Sequence, residues 1–324
     1  MFTLKNLISI LTLIVLVSMG LAPLQAQEKY PSRAIDLVIP YPPGGPSDIG
    51  GRIFAEGFKK VLKVPITIIN KSGGGAIVGA VHVLNAKKDG YTLLSGGGAW
   101  LVSSLILKDV PYKDPLIDFI PISLYATAPH GVYVKEDSPI KTLEDLIDKA
   151  KKNPKMISLG DAGPTSDSHF NFQIFCSAAG LEFKHVPYKG SAEATAAVLG
   201  GHVDLGVATM SAINPFLKAG KVRVLVINVP KRMKDFPDIP TFKEKGFTQT
   251  FIPNWQGLIA PAGVPKDVID ILISASDEAL KSQDLIGQFA KVDFTVERMG
   301  NVEFRTMLEN HKKAIKTVAQ QLGL

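Results

Sequence analysis

The chain has 324 residues, 46% of them hydrophobic and 20% charged. That balance excludes a disordered, collagen-like or disulfide-stapled chain, and the length exceeds what one hydrophobic core usually serves, so two domains are expected. Thirty-six basic against 30 acidic residues give a formal charge of +6 without a run of five Lys or Arg. This argues against a nucleic-acid partner and leaves only weak steering of an anionic ligand. The single cysteine, Cys176, excludes an intramolecular disulfide and a multi-cysteine metal site.

Residues 1–26 read as a signal peptide. Lys5 makes the start positive, 7–17 is almost wholly apolar, and Leu24-Gln25-Ala26 offers a cleavage site after Ala26. The apolar core falls short of the roughly 20 residues a membrane helix needs, although an uncleaved anchor is the competing reading. No later segment is long and apolar enough to span a membrane. The expected product is exported, soluble and periplasmic.

In chain order, a β-branched run predicts a strand over 35–40, then a Gly/Pro turn and a helix over 47–62. A strand over 66–69, a turn at Gly73-Gly74-Gly75, a short helix to Ala86, the Asp89-Gly90 turn and a strand over 91–95 follow. This is the β-α-β-α-β order of a parallel, doubly wound sheet. The middle repeats it: strands over 131–135, 156–160, 183–187, 203–207 and 222–227 alternate with helices over 142–152, 169–179 and 192–199. Thr142 and Asp145 have capping-box spacing, and Gly180, Gly200-Gly201 and Gly220 end helices. After a stretch with Pro230, Pro237 and Pro240, a strand over 255–260 and helices over 265–282 and 302–322 close the chain. Two α/β units joined by two chain crossings fit this order, the first built from 27–125 and 229–324 and the second inserted as 126–228.

Ligands of doubly wound sheets bind at the carboxyl ends of the strands. Two segments there are rich in glycine and hydroxyls. In Tyr41-Pro42-Pro43-Gly44-Gly45-Pro46-Ser47-Asp48, glycines allow close backbone approach and a helix start suits a carboxylate. A plain turn with an N-cap is the competing reading, and Asp48 could cap, or hold a ligand or a water. Gly160-Asp161-Ala162-Gly163-Pro164-Thr165-Ser166-Asp167-Ser168-His169 offers the same choice in the inserted unit. Ser95-Gly96-Gly97-Gly98-Ala99 is a third candidate turn, and Gly73–Gly75 reads as a connection. No G-x-S-x-G, H-E-x-x-H, P-loop or dinucleotide fingerprint occurs, and no histidine pair is spaced i,i+4, so no cofactor and no metal are expected. Cys176, mid-helix among apolar residues, reads as a buried small hydrophobe, and Trp100 and Trp255 as core.

Several pieces recur in order over nearly the whole chain after residue 26. They are Tyr30-Pro31-Ser32-Arg33, Pro43-Gly44-Gly45 with Asp48, Asn70-Lys71, Asp89-Gly90-Tyr91-Thr92-Leu93-Leu94, Ser168-His169 and Val186-Pro187-Tyr188-Lys189-Gly190-Ser191. Gly200-Gly201-His202-Val203-Asp204, Lys218-Ala219-Gly220-Lys221, Pro237-Asp238-Ile239-Pro240-Thr241 and Ala260-Pro261-Ala262-Gly263-Val264-Pro265 complete the set. With them the chain resembles the substrate-binding proteins of tripartite tricarboxylate transporters, the Bug family of periplasmic solute receptors. The resemblance implies an α/β, type II periplasmic-binding-protein fold: two doubly wound α/β domains around a hinged cleft. It also implies two loops that grip a ligand carboxylate, partly through ordered waters. Carried onto this chain, the ligand-binding candidates are Tyr41, Pro43, Gly44, Gly45, Ser47 and Asp48 in the first loop and Gly163, Thr165, Ser166, Ser168 and His169 in the second, with Ser95, Gly96 and Asp204 beside them. Departures are Pro42, where a small residue is common, a glycine-rich loop after Leu94, and Asp161 and Asp167. Those two acids could repel a dianion, read an amino group, or point outward.

The implied function is capture of a small carboxylate and its delivery to the membrane subunits of a transporter, by a monomer with no catalytic residues. The alternatives are an exported enzyme using Cys176 or His169, and a receptor feeding a sensor kinase.

Overall fold

The structure is a computed structural model and describes residues 29–229, 231–248 and 254–322. The segment read as a signal peptide, and Pro230 of the Pro-rich stretch, lie outside them. Eleven strands are described: β1 (Ile35–Ile39), β2 (Ile66–Asn70), β3 (Thr92–Gly97), β4 (Phe119–Ala128), β5 (His130–Lys135), β6 (Ser158–Asp161), β7 (Lys184–Pro187), β8 (Leu205–Thr209), β9 (Val222–Ile227), β10 (Asn254–Pro261) and β11 (Thr295–Met299).

These strands form two sheets within one compact unit that begins at Arg33. The first runs β11-β4-β10-β3-β1-β2, the second β7-β6-β8-β5-β9. β1 is parallel to β2 and β3, and β6 is parallel to β7 and β8, as the β-α-β order predicts. Each sheet also contains antiparallel pairs, because the strands next to the chain crossings run back against their neighbours. β10 opposes β3 and β4, and β5 opposes β8 and β9. Pro129 alone separates β4 in the first sheet from β5 in the second.

Local signals placed most helices. The Thr142–Asp145 capping box is formed reciprocally at helix Leu143–Lys152, and Gly180 ends helix Asp167–Ala179 in the left-handed region at φ 65°. Several elements differ from the sequence reading, helices Pro115–Asp118 and Gln283–Ala290 among them. β3 continues through Gly96 and Gly97, and the residues after them form helix Gly98–Ile106 rather than a loop. β4 occupies a stretch without alternation, and β11 is an edge strand before the last helix.

The first sheet packs around Trp100 and Trp255, both fully buried, with ring centroids 6.3 Å apart and planes at 83°. That edge-to-face pair adds to the burial of two large rings. The tryptophans are core residues, as expected. Cys176 is buried in the second core, and burial pushes its thiol far up, so it behaves as an inert small hydrophobe.

Candidate functional site

A cleft of about 660 Å³ lies between the two sheets. It is lined by the segments that follow β1, β2, β6 and β7, together with Ala99, His130, Thr209 and Asn254. The carboxyl ends of parallel strands therefore supply most of it, where ligands of such sheets are held.

The first loop leads into helix Pro46–Leu62. Gly44 takes φ +79°, the left-handed region open to glycine, while Gly45 is extended at φ −79°. No side chain caps this helix, and Pro46 stands in its first turn. Among the described residues the amides of Ser47 and Asp48 have no acceptor, as the first amides of a helix lack one within it. They carry the positive end of the helix dipole, beside the cleft. Tyr41, Pro43, Gly45 and Ser47 line that cleft.

Asp48 sits behind the lining. Its Oδ2 accepts from the Gly44 amide and from Arg52 Nε, each at 2.9 Å, and its Oδ1 accepts from Asn70 Nδ2 at 2.8 Å. Asn70 also donates to the Tyr41 carbonyl at 3.1 Å. Burial alone would raise the Asp48 carboxyl, but these donors outweigh it and hold it below the ordinary range. Asp48 therefore shapes the loop, and Gly44, whose amide it holds, also stays outside the lining.

The second loop is built differently. Ser166 Oγ accepts from the His169 amide at 3.1 Å and donates to the Gly163 carbonyl at 2.8 Å. The Ser168 amide is taken by Asp167 Oδ1 at 3.1 Å. The Ser168 and His169 amides at the start of helix Asp167–Ala179 are thus taken by side chains of the same segment, and the loop presents oxygens. Gly163, Thr165, Ser166, Asp167 and Ser168 line the cleft. Asp167 Oδ2 accepts from Asn254 Nδ2 at 2.8 Å and lies 3.6 Å from His130 Nε2. Burial pushes the Asp167 carboxyl up, but His130 and these hydrogen bonds more than offset it, leaving it below its usual value. The Tyr41 hydroxyl is raised far above its ordinary value by burial and by the nearby Asp167 carboxylate.

Asp161 anchors the loop from beneath. Its Oδ2 meets His169 Nδ1 at 2.6 Å, and its Oδ1 meets His185 Nε2 at 2.8 Å and the Gly163 amide at 2.8 Å. Asp161 and Asp167 are both buried, so neither points outward. Among the described residues Asp161, His169 and His185 are the one trio of metal-type donors close enough to share an ion. Their contacts are hydrogen-bond lengths, shorter than the roughly 3.3 Å between ligands around a tetrahedral ion. The trio is a bonded strut under the loop, and His169 belongs to it rather than to the lining.

The depressed carboxyls of Asp48, Asp161 and Asp167 set an acid limit. A carboxyl whose folded pKa lies below its unfolded value contributes stability that is present above the unfolded pKa, near 4, and is lost as pH falls through the folded one. Melting temperature is expected to hold from pH 7 to about 5 and to fall steeply below about 4. A flat profile down to pH 3 would contradict these assignments.

The other sequence candidates lie elsewhere. Ser95 is buried in β3 with its Oγ 2.6 Å from the Tyr125 hydroxyl, and a side chain on Gly96 would strike Ile259. The third turn does not reach the cleft except through Ala99, because it is a strand end packed under β10. Asp204 accepts from the Ser158 amide at 2.8 Å and from its hydroxyl at 2.6 Å, joining the entrances of β8 and β6 away from the lining. Conversely, Gly73–Gly75, read as a connection, lines the cleft. So do His130, Thr209, Lys189, Glu193 and Asn254, which the sequence reading did not single out. The position of Tyr188-Lys189-Gly190 just after a strand end was the available signal. His130 and Asn254 gave none, since they begin antiparallel strands.

Residues 51–324 match the family model described as tripartite tricarboxylate transporter family receptor. The chain belongs to that receptor family. The UPF0065 protein in the gbd 5'region of Cupriavidus necator is 34% identical over 95% of this chain and 94% of its own. Among solved structures, the periplasmic binding protein BugD is 28% identical with a TM-score of 0.84, over 91% of this chain and 99% of that one. An R. palustris protein solved with adipate is 27% identical with a TM-score of 0.85, over 91% and 98%. The two-sheet α/β architecture is that of these periplasmic receptors. No helix among the described residues is long and apolar enough to cross a membrane.

Proposed function

We propose that this receptor captures a small carboxylate in the cleft and hands it to the membrane subunits of a tripartite transporter. The observation that carries the reading is the uncapped helix start at Ser47, which lines with Gly45 a cleft that also presents Thr165, Ser166 and Ser168. An amide bonded to an ionised oxygen contributes about 1.5–3 kcal/mol net, so a few such bonds plus apolar burial suffice for micromolar binding. The adipate held by the R. palustris relative supports the ligand class. The receptor acts as an exported monomer after loss of 1–26, with the units 27–125 plus 229–324 and 126–228 closing about the two crossings. It carries out no turnover: Cys176 is buried in a core and His169 is committed to Asp161.

Calorimetry over mono-, di- and tricarboxylates tests the proposal. One site per chain for at least one acid is expected; tight binding of a neutral sugar with no heat from any acid would overturn it. Thr165→Ala and Ser168→Ala are each expected to weaken binding by about 0.5–1.5 kcal/mol without lowering the melting temperature much. Unchanged affinity in both would reduce the second loop to a helix cap.

A further inference from the structure

Gln256 is an unusual residue for its place. It lies on β10, between β3 and β4 in the interior of the first sheet, and every residue of that strand is buried. Gln256 itself is 1% exposed. Its Nε2 donates to the Pro46 carbonyl at 3.2 Å, and its Oε1 is buried with no donor among the described residues. Turning the amide over does not help, since an oxygen would then face the Pro46 oxygen. A buried amide oxygen without a partner is costly, and native structures leave few of them. An apolar side chain of the same length would avoid that cost, so packing alone does not account for a glutamine here.

The helix above Gln256 is shaped to meet it. A Cβ on Gly50 would stand 2.1 Å from Gln256 Oε1 and 2.8 Å from its Cδ, so bare backbone at the start of helix Pro46–Leu62 rests on the glutamine. Glycine inside a helix is itself unfavourable relative to alanine, a second cost at the same contact.

The Pro46 carbonyl belongs to the same peptide group as the Ser47 amide. That group is trans and planar, so its C=O and N–H point opposite ways and cannot turn separately. Ser47 lines the cleft, and its amide has no acceptor among the described residues. A donor fixed on the oxygen therefore fixes the plane that carries the free N–H, and also polarises that N–H.

We propose that Gln256 is a positioning residue for ligand binding: from beneath the helix it holds the Pro46–Ser47 peptide plane, and through it the Ser47 amide, in the orientation a ligand carboxylate meets. This rests on the carboxylate reading above and adds to it a residue that does not line the cleft. The unpartnered oxygen lowers stability while the donated hydrogen bond raises affinity, so the two effects separate on substitution.

The test is Gln256→Met, which keeps the length and loses the donor. Calorimetry with acetate, succinate, adipate and citrate compares it with the wild-type chain. The tightest-binding of the four is expected to lose about three- to tenfold in affinity, the share of one hydrogen bond, while the melting temperature holds or rises. In nuclear magnetic resonance spectra of the ligand-free chain, the Ser47 amide resonance is expected to move, a change that a packing role would not single out. Unchanged affinity with an unmoved Ser47 resonance overturns the inference and leaves the carboxylate reading standing. Affinity and melting temperature falling together make Gln256 a structural residue and overturn it too. If none of the four acids binds the wild-type chain and a neutral solute does, the reading and the inference both fail. Gln256→Leu serves if the Met variant does not fold; if neither folds, Gln256 is required for the fold and the inference fails.

Discussion

In the Gly75→Val variant, ligand affinity is expected to fall at least a hundredfold, about 2.7 kcal/mol. Gly75 holds φ +62°, and a Cβ there would stand 2.1 Å from Ser103 Oγ and 2.3 Å from Thr165 Oγ1. Ser103 belongs to a helix against the first sheet and is fully buried, so it has little room to yield. Thr165 stands on the loop of the second sheet, so that loop must retreat and the cleft must open. A β-branched residue in the left-handed region adds about 1–2 kcal/mol of strain to any folded form. Calorimetry gives the affinity, and small-angle scattering gives the spread of the two sheets as a larger radius of gyration. Wild-type affinity with an unchanged radius would show that contact between Gly75 and Thr165 is not needed for binding.

Asp48→Ala is expected to damage stability and binding together. It removes the acceptor of the Gly44 amide, of Asn70 Nδ2 and of Arg52 Nε at once. Arg52 is half exposed, so its ion pair is screened and contributes under about 1 kcal/mol. The other two donors are partly buried, and the loss on unfolding should be on the order of 2–4 kcal/mol. Freed from Asp48, Gly44 no longer holds its left-handed turn, so the amides of Ser47 and Asp48 lose their aim. Denaturant melts beside ligand titrations check both effects. A variant with wild-type affinity and a lowered melting temperature would confine Asp48 to stability.

Much of this was readable from residues alone. β1, the Gly/Pro turn and helix Pro46–Leu62 follow from a β-branched run, two glycines and an amphipathic repeat, and the loop between them does line the cleft. What escaped has specific causes. β4 is buried on both faces, so it lacks alternation, and Pro121 argues against a strand. In the fold Pro121 pairs with Ile259 beside a register shift in β10, an irregularity that local sequence does not signal. Gly96 and Gly97 looked like a turn because glycine usually marks one. They are in a strand because Ile259, the Tyr41 hydroxyl and the Trp255 carbonyl press on them from close by. The two acids of the second loop could be found but not assigned, since their roles depend on His185 from β7, His130 from β5 and Asn254 from β10.

The position of β10 also dictates an order of assembly. It lies between β3 and β4, yet it begins only at residue 254, so a chain made from its amino end carries both neighbours long before the strand that joins them. The five strands of the other sheet all fall between His130 and Ile227 and can close first. Until β10 arrives, β3 and β4 present open edges, the exposure that invites pairing with other chains. The half of the molecule that carries the uncapped helix start is therefore expected to mature last. Nascent chains that stop short of residue 254 should depend on chaperone cover over exposed strands, whereas those that extend past residue 261 can bury them.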